Sequence, residues 1–208
     1  MPEEQPSLRS EQVAQTRAAL VTAGRRLFGA HGFAATSVDD IAREARVTTG
    51  ALYHHFPTKA AVFEAVFEQV HADLGVATLA GLPETADAVE LLLAGIGAFL
   101  DLILEPDVAR IIVTDAPAVL GLARFTELDE RYALAPTIAA LEAANDSGAL
   151  AIDDPPTLAR LLFGALTRAG LLIASSPEPA ATKDAVAATL RGIITGFAPR
   201  LRQEASSA

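Results

Sequence analysis

The sequence contains no cysteine and no tryptophan, and only one methionine and two tyrosines. The missing cysteine excludes disulfides, thiolate metal sites and cysteine nucleophiles. Basic residues are scarce too: 16 Lys and Arg stand against 26 Asp and Glu, a net charge of −10. A nucleic-acid binder is expected to be basic, so the total charge argues against one unless it is unevenly spread. No segment alternates apolar and polar residues with period two, so no sheet is expected. The longest apolar run, Leu91 to Leu100, is about half the ~20 residues that a bilayer span needs. The amino end is acidic and lacks the apolar core of a signal peptide. These absences predict a cytoplasmic protein with no membrane segment.

What remains is a helical chain with a displaced charge. Its 208 residues, 51% of them hydrophobic, suffice for one or two small domains with a core. Residues 16–60 carry six basic side chains (Arg17, Arg25, Arg26, Arg43, Arg46, Lys59) against Asp39, Asp40 and Glu44, a net of +3. Residues 61–208 carry nine basic against twenty acidic, a net of −11. Exposed charges are screened beyond roughly 8 Å at physiological salt, so the local excess decides what the N-terminal part can approach.

Residues 1–11 are polar, contain two prolines and read as a flexible arm. A first helix is predicted over about 12–30, with Val13, Leu20, Leu27 and Phe28 as its apolar stripe and His31-Gly32 as its stop. Ser37-Val38-Asp39-Asp40 has capping-box spacing and opens a second helix that buries Val38, Ile41 and Ala42. After a turn at Ala45-Arg46-Val47, Thr48 caps a very short third helix that buries Leu52 and Phe56 and ends at Pro57. Thr58 caps a fourth, with Val62, Phe63, Val66, Phe67 and Val70 as its stripe. Gly81-Leu82-Pro83 marks a boundary, giving domains at 12–75 and 76–208. Further helices are predicted at 85–104, 106–114, 122–146, 156–175 and 180–199, punctuated by prolines that include Pro106, Pro117 and Pro177.

The corner formed by the second and third helices is either scaffold or a helix-turn-helix. Gly50 lies in the first turn of the third helix, where glycine costs roughly 1 kcal/mol relative to alanine. Close approach of the backbone to another surface is one reason to keep it. Tyr53 and His54 can face outward while Leu52 and Phe56 pack inward, and an outward tyrosine can bond a phosphate or touch a thymine methyl. Adjacent His54 and His55 point about 100° apart on a helix and no ligand cluster surrounds them, so no metal or other cofactor is predicted. Asp39-Asp40 suits a capping pair better than an acid/base dyad.

From about Thr16 to Val70 the sequence resembles the N-terminal domain of the TetR family of transcriptional regulators. The matching residues are Leu27-Phe28, His31-Gly32-Phe33, Thr36-Ser37-Val38, Ile41-Ala42, Val47, Gly50, Leu52-Tyr53, Phe56 and Lys59. A weaker match, Asp115-Ala116-Pro117-Ala118-Val119-Leu120-Gly121, is similar to a helix-connecting segment of one TetR subgroup. The resemblance implies an all-α protein: a three-helix helix-turn-helix DNA-binding domain followed by a helical ligand-binding and dimerisation domain. It implies phosphate contacts for Thr36, Ser37 and Lys59, contacts to base edges or groove backbone for Thr48, Thr49 and Gly50, and phosphate or base contacts for Tyr53 and His54. The turn position that the family gives to glycine is Arg46 here; a positive φ at that residue would cost roughly 1 kcal/mol, and a phosphate contact could offset it.

Two uses compete for the apolar residues of the C-terminal half. Leu161, Leu162, Ala165, Leu166, Ala169 and Leu172, with Val186, Leu190, Ile193, Ile194 and Phe197, mix large and small side chains. Two such helix pairs can form a four-helix bundle across a two-fold axis; intrachain core is the alternative. The family places an effector cavity between the boundary and the dimer face. Phe99, Ile103, Phe125, Tyr132 and Phe163 are candidate lining residues, with Asp115, Arg124 and Thr167 as polar anchors. The composition suits a mainly apolar ligand. The resemblance implies a homodimeric regulator, a repressor that binds a palindromic double-stranded operator and is released by a small molecule. The rivals are a helical small-molecule carrier and an acidic helical enzyme. Against the enzyme, the sequence has no nucleophile elbow, metal-ligand spacing or phosphate-binding glycine loop.

Overall fold

Polar residues just ahead of apolar runs set the helix starts of this chain. The computed structural model describes residues 8–80 and 82–199, and no strand occurs among them. α1 runs over Leu8–His31 and closes on Gly32, whose N–H donates to the Phe28 carbonyl at 2.8 Å. Gly32 takes φ +81°, a left-handed value natural to glycine. α2 (Val38–Glu44) opens on a complete capping box: the Asp40 N–H donates to Ser37 Oγ at 3.1 Å, and the Ser37 N–H donates to the Asp40 carboxylate at 3.3 Å. Hydrogen bonds from Ser37 and then Arg43 hold the Asp40 carboxyl below the usual carboxylate range. α3 (Thr49–His55) is capped by Thr48, whose Oγ1 accepts from the Ala51 N–H at 3.1 Å. α4 spans Lys59–Ala80.

The chain forms two compact units that interleave in sequence: the first joins residues up to Asp73 with 105–128, and the second joins 74–104 with residues from Asp129 onward. In the first, Leu20, Leu27, Phe28, Ile41, Leu52, Phe56 and the predicted α4 stripe are buried. Phe28, Phe33 and Phe63 form an aromatic trio with ring centroids 5.2–5.7 Å apart. Val13, predicted to share the α1 stripe, is 45% exposed, because burial on α1 begins only near Leu20. Residues 8–11, predicted as part of the arm, form the first turn of α1; the rest of that arm lies outside the described residues.

Residues 105–128 enter the first unit as α6 (Pro106–Ala109), a π-helical stretch (Arg110–Asp115) and most of α7 (Ala116–Asp129). Pro117, read as a break, lies inside α7. The π stretch explains why: it ends with the Ala116 N–H donating to Ile111, five residues back. That wider turn makes room for a ring that cannot donate and would clash in an ordinary helix. The arrangement recurs at the second π stretch (Glu130–Leu134), where Ala135 donates to Glu130 just ahead of Pro136. The real interruption of α7 is Gly121, at φ +73° and ψ 157°, so the helix predicted from 122 does restart there.

The second unit contains α5 (Ala88–Ile103), α8 (Ala135–Asp146), α9 (Pro155–Ala174) and α10 (Pro179–Thr195). α5 packs against α8, α9 and α10, and α8 against α9. Its core includes Leu92, Ile96, Leu100, Leu141, Ala159, Leu162, Ile173 and Ile194. α9 is long and apolar enough to cross a membrane by length and composition, with 28% of that stretch buried.

Asp129, at the end of α7, is 6% exposed, and burial pushes its carboxyl up to about 7. An acid whose folded pKa stands above its unfolded value of about 4 leaves the folded state holding more protons between the two. Stability therefore falls as pH rises from about 4 to about 7. Thermal unfolding at a series of pH values should show the wild type losing on the order of 2 kcal/mol relative to Asp129→Asn between pH 5 and 8; parallel profiles would refute this.

Candidate nucleic-acid interface

α3 is short and buries Leu52, with its C-cap Phe56 buried beside it, at 0% and 4% exposure. The opposite side is left to solvent: Thr48, Gly50 and His54 are exposed, and Tyr53 is 52% exposed. A Cβ built on Gly50 would meet nothing nearer than Thr48 Oγ1 at 3.9 Å. The fold itself therefore does not require glycine there, despite its cost in a helix. Thr49 is half-buried, and its hydroxyl donates to Asp39 Oδ1 at 2.8 Å, tying α3 to α2. Ser37 and Arg46 are exposed on the same pair of helices and their turn. Arg46 takes φ +58°, the left-handed value its position in the turn suggested.

The segment from Gly29 to Thr36 gathers a set of side chains onto its backbone. Arg110 donates to the Gly29 and Ala30 carbonyls, both at 2.6 Å, which α1 leaves without a partner at its C-terminal end. The Phe33 N–H donates to Asp115 Oδ2 at 2.8 Å. Lys59 Nζ donates to the Phe33 carbonyl at 2.8 Å and the Thr36 carbonyl at 2.7 Å, and stands 4.2 Å from the centre of the Phe33 ring. Thr36 is 3% exposed, and its hydroxyl lies 2.9 Å from the Gly32 carbonyl and 3.2 Å from that of Leu27.

These contacts correct the side-chain role predicted for Thr36 and give Lys59 partners within the protein. Thr36 does not present its side chain to a phosphate; it clasps the α1–α2 link from inside. Lys59 directs its ammonium into the same link, where two carbonyls and a ring hold it. Arg110 was missed altogether. Its partners are backbone carbonyls about eighty residues away, which leave no trace in side-chain spacing.

Two family models match the chain: one described as bacterial regulatory proteins, tetR family, over residues 20–66, the other as tetracyclin repressor-like, C-terminal domain, over 89–197. The Transposon Tn10 TetC protein of Escherichia coli is 26% identical over 186 residues, 88% of this chain and 93% of its own length. The crystal structure of a TetR-family transcriptional regulator from Pectobacterium atrosepticum matches at a TM-score of 0.76 and 32% identity, covering 92% of this chain and 98% of that one. The chain belongs to the TetR family. A SmeT–triclosan complex matches at a TM-score of 0.66 and 26% identity, over 89% of this chain and 92% of that one. As a TetR-family member the chain is an all-helical transcription factor with an N-terminal helix-turn-helix, not an enzyme.

The residues expected to hold an effector divide between the two units of this TetR-family fold. Asp115, Arg124 and Phe125 belong to the first. Asp115 accepts from the Phe33 N–H, and Arg124 pairs with Glu64 at 2.5 Å and Glu127 at 2.6 Å. The Phe125 ring stands 5.9 Å from that of Phe67. The second unit holds buried Ile103, half-buried Phe99, Tyr132 and Phe163, and exposed Thr167, whose hydroxyl donates to the Phe163 carbonyl one turn back.

The residues expected at a dimer face also split. Leu162, Ala169, Leu190 and Ile194 are at most 7% exposed and belong to the core of the second unit, which corrects their assignment. Ala165 and Ile193 are exposed, and Leu166 and Phe197 half-buried. Leu161 and Leu172, also expected there, are 67% and 50% exposed, and Leu171 adds to this outward side at 41%.

Replacing Lys59 by methionine should remove the charge-assisted partner of two carbonyls and destabilise the fold by roughly 1–3 kcal/mol. Urea unfolding checks this. Unchanged stability would show that these two hydrogen bonds do not hold the link.

Proposed function

We propose that this TetR-family regulator is a cytoplasmic repressor that binds a palindromic operator as a homodimer. A small, mainly apolar effector releases it. The outward face of α3 carries the reading: Thr48, Gly50, Tyr53 and His54 are exposed on a helix whose other side is sealed. In the major groove, Thr48 and Thr49 would meet base edges, and a bare Gly50 would let the backbone come close. Tyr53 and His54 would reach phosphate or base. Ser37 and Arg46 would contact phosphates, Ser37 at a helix N-terminus that already favours an anion.

The exposed apolar side chains of α9 and α10 support a second copy as the partner. Leu161, Ala165, Leu172 and Ile193 would be covered by the same surface of another chain. A lipid environment fits α9 less well, because it would take in exposed Arg160 and Arg168 at roughly 3 kcal/mol each at the bilayer centre. Half-sites should then lie about one helical turn, ~10 bp, or a multiple of it apart. Release would be a population shift, in which an effector that prefers a conformation unfit for DNA lowers operator affinity by that preference. The complex of SmeT with triclosan supports a small-molecule effector.

A gel-shift assay with the duplex upstream of the chain's own gene should show a retarded complex. Gly50→Ala should weaken it about tenfold, some 1.4 kcal/mol, while raising thermal stability by up to about 1 kcal/mol. No shift would favour a ligand carrier. Arg46→Gly should likewise gain about 1 kcal/mol of stability by relieving the positive φ, yet lower the salt dependence of binding by about one phosphate contact. Equal affinity with an unchanged salt slope would remove Arg46 from the interface.

A further inference from the structure

The first unit has several basic side chains, and most are already engaged. Arg25 pairs with Asp73, Arg26 with Glu44 and Arg43 with Asp40. Lys59 and Arg110 donate to backbone carbonyls, and Arg124 pairs with Glu64 and Glu127. Among the described residues, Arg9, Arg17 and Arg46 are the arginines of this unit that hold neither a carboxylate nor a carbonyl. Arg9 and Arg46 simply extend into solvent. Arg17 is different: its guanidinium carbon lies 5.0 Å from the centre of the Phe56 ring.

Phe56 is the C-cap of α3 and is itself buried. Arg17 therefore sits against the end of the helix whose free side carries Tyr53 and His54, next to exposed Pro57 and Thr58. The ring holds the guanidinium beside the end of α3, while Arg17 itself is exposed to solvent. A guanidinium held in place but open to solvent suits the oxygens of a phosphate, because its N–H donors are free and less side-chain freedom is lost on binding. Residues 9–15 of α1 are exposed, as are Arg17 and Ala18, with Thr16 and Ala19 half-buried, so the amino-terminal side of Arg17 is open to solvent. Arg17 also precedes the stretch matched by the helix-turn-helix family model.

We propose that Arg17 binds a DNA backbone phosphate beside the C-terminal end of α3, making the N-terminal turns of α1 part of the interface. This rests on the DNA-binding reading above. The competing role is structural: a cation near a helix C-terminus steadies the helix dipole, and that would change stability without changing how binding responds to salt.

The test is fluorescence anisotropy of the full-length protein with a random-sequence 30-bp duplex between 50 and 200 mM KCl, for wild type, Arg17→Gln and Arg17→Lys. Each phosphate contact contributes about 0.9 to the slope of log affinity against log salt. Arg17→Gln should bind more weakly at 50 mM, with a slope smaller by about 1. Its deficit relative to wild type should shrink about three- to fourfold by 200 mM. Arg17→Lys should keep the wild-type slope. If Arg17→Gln shows the wild-type slope, whatever its thermal stability, the inference is overturned while DNA binding stands. If the wild type itself does not bind the duplex at 50 mM, the DNA-binding reading fails and takes this inference with it.

Discussion

The last carbonyls of a helix have no partner within it, and in this protein the end of α1 is where that deficit is met from afar. Arg110 takes the carbonyls of Gly29 and Ala30, Lys59 takes those of Phe33 and Thr36, and Asp115 takes the Phe33 N–H. The Thr36 hydroxyl closes the inside of the same link. The link delivers the chain to Ser37, which starts α2, and α2 holds α3 through the Thr49–Asp39 bond. The orientation of the outward face of α3 thus depends on side chains from positions 59, 110 and 115. Residues 105–128 belong to this unit for the same reason: they supply partners that the N-terminal sequence does not have.

The charge of the head looks different once its partners are known. Residues 16–60 carry a formal +3, but most of those cations already face a carboxylate or a carbonyl. Little of that basicity is free to meet DNA, so the few unengaged arginines carry more weight than the count suggests. Lys59 shows the distinction. Its charge is real, yet its ammonium points into the protein and strengthens bonds to backbone oxygens in a half-buried setting.

Local rules were readable in the sequence. The Ser37–Asp40 box, the Thr48 cap and the α4 stripe depend on neighbours three or four positions away, and spacing reveals them. So does the outward placement of Tyr53, which follows from Leu52 and Phe56 facing in. The partners of Thr36 and Lys59 are not legible there, because they are backbone carbonyls, and no residue type marks a carbonyl. Pro117 was misjudged because a π turn ahead of it cannot be seen in composition. On α9, Leu161 and Leu162 are neighbours about 100° apart; one is 67% exposed and the other 3%. A helix apolar on two sides does not say which side is core, and four residues assigned to a dimer face lie inside.

The central claim is that two copies of α3 read one side of a duplex. Hydroxyl-radical footprinting of the upstream region of the chain's own gene tests it most directly. The account predicts two symmetric protected patches on one face of the DNA, a whole number of helical turns apart. A single patch, or protection spread evenly along the duplex, would contradict it.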